Sequence, residues 1–226
     1  RGKEGDCTDP DQFVSQVLRR RWLIFSWPTI APDKHGGLAI ALSEQYFGRG
    51  TFVPTTVIPG RVAVLRCKSD FYDLTIVNAY VRPGGSREAT AAAAESFKGI
   101  EEVVSRIPRR STLVMGGDFN SRLSRSTVTA GIGCGLARSD CVRGRMLREV
   151  VGRHRLLVVN TVQGRSPTFI RPGVRSMLDY LVVSQRDWHR VRDCRVLWDT
   201  GRKIQLTPGR DHLPVLMTLQ GVTREY

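Results

Sequence analysis

Residues 74–120 read LTIVNAYVRPGGSREATAAAAESFKGIEEVVSRIPRRSTLVMGGDFN. Leu74–Tyr80 is rich in branched residues and reads as a strand. In Glu88–Ile107, Phe97, Ile100, Val103, Val104 and Ile107 recur every three to four residues behind an alanine run, and Pro108 follows. That spacing predicts an amphipathic helix. Thr112–Gly116 is a second short apolar strand. Outward from this segment, strands are expected at Gly37–Leu42, Val62–Arg66, Leu156–Asn160, Ser166–Phe169, Ser176–Val183, Asp193–Leu197 and Val215–Leu219. Further helices are expected at Gln12–Arg21 and Gly144–Gly152, and Trp22–Ser26 is a short apolar run. Strands joined by both helices and short turns give a mixed α/β fold with helices packed on sheets. No linker, repeat or low-complexity segment divides the 226 residues, so one domain over 1–226 is expected.

Composition narrows the partners. The chain is 41% hydrophobic, carries 35 Lys+Arg against 21 Asp+Glu, and has a net charge of +14. Up to Asn120 the net charge is +3, and from Ser121 on it is +11, nearly all from arginine. Arginine's planar fork suits phosphate oxygens, and a basic face concentrates a polyanion. Arginine scattered over a solvated surface by biased codon usage would give the same totals. No apolar run approaches the ~18 residues of a membrane span, and the polar, acidic Arg1–Pro10 does not resemble a secretory leader. Five cysteines without a CxxC pair argue against a disulfide framework or a zinc site and fit a reducing, intracellular compartment.

Three constellations follow apolar strands. Met115-Gly-Gly-Asp-Phe-Asn120 places Asp118 and Asn120 two apart, on one face of an extended chain, with Phe119 pointing to the core. Such a pair can orient a water and hold a phosphoryl oxygen, or simply form a turn that ends the strand. Arg210-Asp-His-Leu-Pro214 precedes the last strand and can divide roles between a metal-binding Asp211 and a general acid or base, His212. Ser176-Met-Leu-Asp-Tyr180 puts Asp179 in an apolar strand, where a carboxylate must be partnered. His212 is the candidate, because a carboxylate on one ring nitrogen fixes the tautomer. His35, His154 and His189 are unassigned.

In this order, Val77-Asn-Ala-Tyr-Val-Arg-Pro83, Gly117-Asp-Phe-Asn120, Ser176-Met-Leu-Asp-Tyr180 and Arg210-Asp-His212, with the Gly36-Gly-Leu-Ala-Ile40 strand, resemble the endonuclease/exonuclease/phosphatase superfamily. Within it, Thr168-Phe169 and Arg175-Ser-Met-Leu-Asp179 are most similar to the endonuclease domains of non-LTR (LINE-type) retrotransposons. The resemblance implies a four-layer α/β sandwich of two packed mixed β-sheets flanked by helices, of the exonuclease-III/DNase-I type. It further implies a phosphodiesterase dependent on Mg²⁺ (or Mn²⁺). Asp118 would orient or deprotonate the attacking water and Asn120 hold the scissile phosphate. Tyr80 would contact the phosphate, and His212, oriented by Asp179, would take part in proton transfer. Asp211 and Glu4 would bind metal, Asp6 being the rival to Glu4, and Arg171, Arg175 and Arg210 would contact phosphates.

The family's first strand, with its Asn, has no counterpart ahead of Arg1, so an N-terminally truncated domain is expected. Pro83 stands where abasic-site enzymes carry a phosphate-binding Asn, which argues against a repair enzyme. The function implied is nicking of nuclear DNA by a domain preceding a reverse transcriptase in the same polypeptide. A phosphatase of inositol phosphates or phospholipid headgroups, and an inert nucleic-acid-binding fragment, are the alternatives.

Overall fold

The structure is a computed structural model, and it describes residues 11–15, 20–29, 36–205 and 211–221. In chain order the elements are β1 (Asp11–Ser15), β2 (Arg20–Trp27), β3 (Leu38–Ser43), α1 (Glu44–Phe47), β4 (Thr51–Ile58), β5 (Val62–Lys68), β6 (Asp73–Tyr80), α2 (Arg87–Arg106), β7 (Thr112–Asp118), α3 (Val142–Arg153) and β8 (Leu156–Val158). They continue with β9 (Phe169–Arg171), β10 (Val174–Ser176), β11 (Asp179–Ser184), β12 (Val191–Val196), α4 (Trp198–Gln205) and β13 (Val215–Leu219).

The central sheet has six strands in the order β4-β5-β6-β7-β11-β8. Only β6 and β7 run parallel, joined by α2; the other neighbours are antiparallel. Alternation along the central strands feeds two cores, because successive side chains point to opposite faces. Val62, Val64, Val77, Ala79, Leu113 and Met115 pack under Phe97 and Ile100 of α2 and Leu147 and Val151 of α3. Ala63, Leu65, Cys67 and Leu74 face the other way, onto Phe25, Trp27, Ile40 and Leu42 of a three-stranded sheet, β1-β2-β3. The antiparallel ribbon β12-β13 covers the same side further along, meeting Val183 and Leu181 of β11. The expected arrangement of packed sheets flanked by helices is therefore present, with the second sheet formed by a three-stranded piece and a two-stranded ribbon.

Several sequence expectations shift. Of the helix expected over Gln12–Arg21, residues 16–19 lie outside the described residues, and the described ends are strands: β1 pairs antiparallel with β2, from Asp11 opposite Ile24 to Ser15 opposite Arg20. Over Asp11–Ser15 backbone pairing along β2 sets the state, tertiary context overriding local propensity. Strand β4, unforeseen, carries Pro54 and lies at the sheet edge, where a missing N–H costs no ladder bond. The single strand expected over Ser176–Val183 is broken at Met177-Leu178, its first part pairing with β9 as a hairpin and its second joining the central sheet. Leu156–Asn160 is a strand only to Val158, and a 3₁₀ turn takes Val159–Thr161.

The parallel β6–β7 pair explains the second glycine of the Gly-Gly-Asp run. Gly117 lies opposite Ala79 with φ of 148°, and a Cβ there would sit 1.9 Å from the Ala79 carbonyl oxygen. Only glycine lets the two strand ends approach so closely.

Candidate active site

The ends of three adjacent strands meet at one point. Tyr80, the last residue of β6, is in register with Asp118, the last of β7, and Asp118 is in register with Asp179, the first of β11. Strand ends project their final side chains beyond the packed core, where α/β folds place ligands. Phe119, wholly buried, anchors the next turn by stacking on Phe97 at 6.4 Å and tilting against Tyr180 at 6.1 Å. Burying such a ring is worth about 3 kcal/mol, so the Asp-Phe-Asn segment is held by its middle residue, as the sequence suggested. The chain beyond is not extended: Asn120 has φ of 46°, in the left-handed region that asparagine tolerates better than most residues.

That conformation turns Asn120 back onto Asp118. Its backbone N–H donates to Asp118 Oδ1 at 2.9 Å, and its Nδ2 donates to Asp118 Oδ2 at 3.1 Å and to the Val81 carbonyl at 2.9 Å. Burial, and next the charge of Asp179, push the Asp118 carboxyl up from 3.8 to about 6; the Asn120 N–H bond and His212 pull the other way. A carboxyl poised near neutrality is suited to proton transfer at physiological pH.

His212 arrives from the far end of the chain. A bridge to Phe169, with the Ile170 N–H donating to the Asp211 carbonyl (2.8 Å) and the Leu213 N–H to the Thr168 carbonyl (2.7 Å), fixes the loop that carries it. Its Nδ1 lies 2.9 and 3.1 Å from the two Asp179 oxygens, and Phe169 meets the ring edge-on at 5.1 Å. A carboxylate only accepts, so the Nδ1–H donates and Nε2 is left facing Asp118 at 3.9 Å and Asp211 at 3.8 Å. The hydrogen bond to Asp179 raises His212 above the usual imidazole range, burial opposing it.

The expected residues Tyr80, Asp118, Asn120, Asp179, Asp211 and His212 thus come together. Arg171 does not point freely to a substrate: it pairs with the Asp211 carboxylate and lies 5.1 Å from the centre of the Phe169 ring. Arg175 is exposed on the β9–β10 hairpin. Glu4, its rival Asp6 and Arg210 lie outside the described residues. Asp118, Asp179 and His212 each offer a ligand atom within 4.8 Å of the others, which is a candidate metal cluster among the described residues. A mouth of about 340 Å³ opens beside Asp118, walled by Tyr80, Asn78 and Gly36–Ala39. Arg61 covers the Tyr80 ring at 4.8 Å.

Four supporting residues were given no role by the sequence reading. Thr168, buried, accepts the Leu178 and Asp179 N–H groups on its Oγ1 at 3.0 and 3.1 Å. Asn160, also buried, donates to the Asp179 carbonyl at 2.9 Å and accepts the Leu181 N–H at 3.1 Å. Asn78 donates to the Ala39 carbonyl at 3.0 Å, joining the two walls of the mouth. Arg143, in the first turn of α3, donates through Nε to the Asn120 carbonyl at 2.9 Å and through Nη1 to the Gly84 carbonyl. Asn78 and Thr168 stand inside motifs that carried the family resemblance, a signal that was open to reading, and Asn160 closes an apolar run; Arg143 acts through backbone atoms distant in sequence and left none.

The family model described as Endonuclease-reverse transcriptase matches residues 74–216, from the start of β6 into β13. The chain belongs to that family. Its fold is that of several solved nucleases. The endonuclease domain of TRAS1, a telomere-specific non-LTR retrotransposon, matches with a TM-score of 0.61 at 20% identity, over 88% of this chain and 79% of that one. The 3′–5′ exonuclease NExo from Neisseria meningitidis gives 0.63 at 18% identity with the same coverages. The AP endonuclease LMAP from Leishmania major gives 0.62 at 14%, over 88% and 70%. No curated protein matches by sequence. Membership of the endonuclease-reverse transcriptase family, on this fold, makes the chain a nucleic-acid phosphodiesterase of the endonuclease/exonuclease/phosphatase superfamily, and so a hydrolase. No helix among the described residues is long and apolar enough to cross a membrane.

Proposed function

We propose that the chain is a divalent-metal-dependent DNA endonuclease that nicks target DNA in the nucleus for a non-LTR retrotransposon, with a reverse transcriptase in the same parent polypeptide. The observation that carries this reading is the meeting of Asp118, Asn120, Asp179 and His212 at one set of strand ends. In-line attack on a phosphodiester needs a deprotonated water, a held phosphate and a stabilised leaving oxygen. Asp118 takes the proton from the attacking water. Asn120 holds the scissile phosphate by turning to it the Nδ2 hydrogen that now goes to Asp118 Oδ2, while its other amide hydrogen stays on the Val81 carbonyl. Tyr80 contacts the phosphate from the β6 side. His212 offers its free Nε2 face to a phosphate oxygen, and Asp179 holds the ring from behind.

The donor set suits a divalent cation. Burial, and next the Asp179 charge, drive Asp118 toward its neutral form, so a cation beside the two carboxylates is favoured. The ligands are hard carboxylate oxygens, which favour Mg²⁺ or Mn²⁺ over zinc. Asp211, at the edge of the Asp118–Asp179–His212 cluster, and Glu4 are the residues assigned to hold the ion. When bound, the ion neutralises charge building on the phosphate. Arg171 and Arg210 contact flanking phosphates in this reading, Arg171 by exchanging its Asp211 partner for substrate.

The test is incubation of purified protein with supercoiled plasmid, with Mg²⁺ and then with EDTA. Conversion to open circles that EDTA abolishes, and that Asp118→Ala removes, supports the proposal. Intact plasmid with release of phosphate from inositol phosphates overturns it in favour of a phosphatase.

A further inference from the structure

Beside the catalytic strand ends, a cleft of about 440 Å³ opens between the segment 122–141 and the β9–β10 hairpin. Leu123, Leu136 and Met177 line it, and Leu123 and Met177 are buried. Arg122, Arg138 and Arg175, all exposed, stand around it. Its one carboxylate, Asp140, is already taken by Arg148 through two bonds of 2.8 and 3.0 Å, and it also accepts the Ser124 N–H at 2.6 Å. The three rim arginines have no acidic partner among the described residues. Three unpaired cations around an apolar floor form a site for a group that is anionic at one end and apolar at the other.

Position says which group. Arg122 follows Asn120 by two residues, and Met177 precedes Asp179 by two. The Tyr180 hydroxyl lies 2.8 Å from the Ser121 carbonyl and 2.9 Å from the Met177 carbonyl, so both walls of the cleft leave from the strand ends that carry Asp118 and Asp179, and a strand with one phosphate at those ends reaches the cleft with a neighbouring nucleotide. The segment carrying Arg122 is also fixed: the Arg122 N–H donates to Cys141 Sγ at 3.2 Å, and the Gly144 N–H to the same sulfur at 3.3 Å, at the start of α3.

Resting on the nuclease reading above, we infer that this cleft binds a nucleotide of the substrate strand one or two steps from the cut. The flanking phosphate lies on Arg122, Arg138 and Arg175, and the sugar or base lies over Leu136 and Met177. The substrate class is then a polymer engaged at two points, and a lone phosphoester reaches only one of them.

Binding of a fluorescent 20-base-pair duplex, measured in EDTA across a range of KCl, tests the cleft without requiring cleavage. Removing two phosphate contacts in the Arg122→Ala/Arg138→Ala double variant should flatten the slope of log K against log salt by about 1.8, at about 0.9 per contact. Affinity at low salt should fall at least tenfold. Arg192→Ala, which removes an exposed charge on β12, should leave the slope unchanged. An unaltered slope in the double variant, or an equal loss in Arg192→Ala, overturns the inference. Plasmid nicking by the wild-type chain tests the nuclease reading separately. Nicking with an unaltered slope therefore removes the cleft alone, while a flattened slope without nicking removes only the nuclease.

Discussion

Asp118→Asn should make the metal-free protein more stable at neutral pH while destroying its activity. Burial and the neighbouring Asp179 charge raise the folded-state value of Asp118 from 3.8 to about 6, and the side chain is only 18% exposed. A group whose folded value is raised contributes its full stability below the unfolded value and loses it as pH climbs through the folded one. At 1.36 kcal/mol per tenfold, the gap between 3.8 and about 6 amounts to about 3 kcal/mol of destabilisation above pH 6. The amide removes that charge but turns an N–H₂ toward Asn120 Nδ2, which loses one hydrogen bond worth about 1 kcal/mol. The net gain is about 2 kcal/mol, or about 4–8 °C in Tm for a domain of this size. Urea or thermal unfolding in EDTA at pH 4 and pH 8 measures it. The variant should match wild type near pH 4 and exceed it at pH 8. Saturating Mg²⁺ should close the gap by stabilising wild type more. A variant equally or less stable than wild type at pH 8 in EDTA would refute the electrostatic account of the site.

Three further outcomes are expected. Thr168→Val keeps the shape but leaves the Leu178 and Asp179 N–H groups without their acceptor in a buried place; a loss of about 1–3 kcal/mol, read by denaturant midpoint, should come with slower nicking, and unchanged stability would show that another acceptor replaces it. Arg143→Ala should lower kcat on plasmid about tenfold with KM within twofold, since it frees the Asn120 carbonyl; a rise in KM alone would make Arg143 a substrate-binding group instead. The nicking rate in Mg²⁺ should climb with pH as Asp118 loses its proton, with the midpoint below the metal-free value of about 6 because the cation opposes burial and the Asp179 charge. Asp179→Asn should move that acid limb downward, because the Asp179 charge raises both Asp118 and His212; an upward shift in the pH–rate profile would contradict the assignment.

The legible parts of the fold share one property: their pattern is local. Leu74–Tyr80, Glu88–Ile107, Thr112–Gly116, Gly144–Gly152 and Val215–Leu219 announce themselves by spacing and bounding residues, and each forms close to its expected limits. Where partners are distant, the reading failed. Phe13 and Val14 open the helix-like pattern of Gln12–Arg21, yet pairing with β2 makes Asp11–Ser15 a strand. Pro54 masks an edge strand that only the neighbouring β5 makes tolerable.

The same division runs through the site. Residue chemistry singled out Asp118, Asn120, Asp179, Asp211 and His212, because each chemistry admits few side-chain types, and the superfamily resemblance added Tyr80. What the sequence could not settle is who holds whom. Asn120 bends back onto Asp118, Arg171 is bound to Asp211, and Thr168, Asn160 and Arg143 grip the backbone of the catalytic segments. Those bonds join atoms 2 to 40 positions apart. Hydrogen bonds depend on distance and direction in space, and a one-dimensional pattern fixes neither until the sheets have packed.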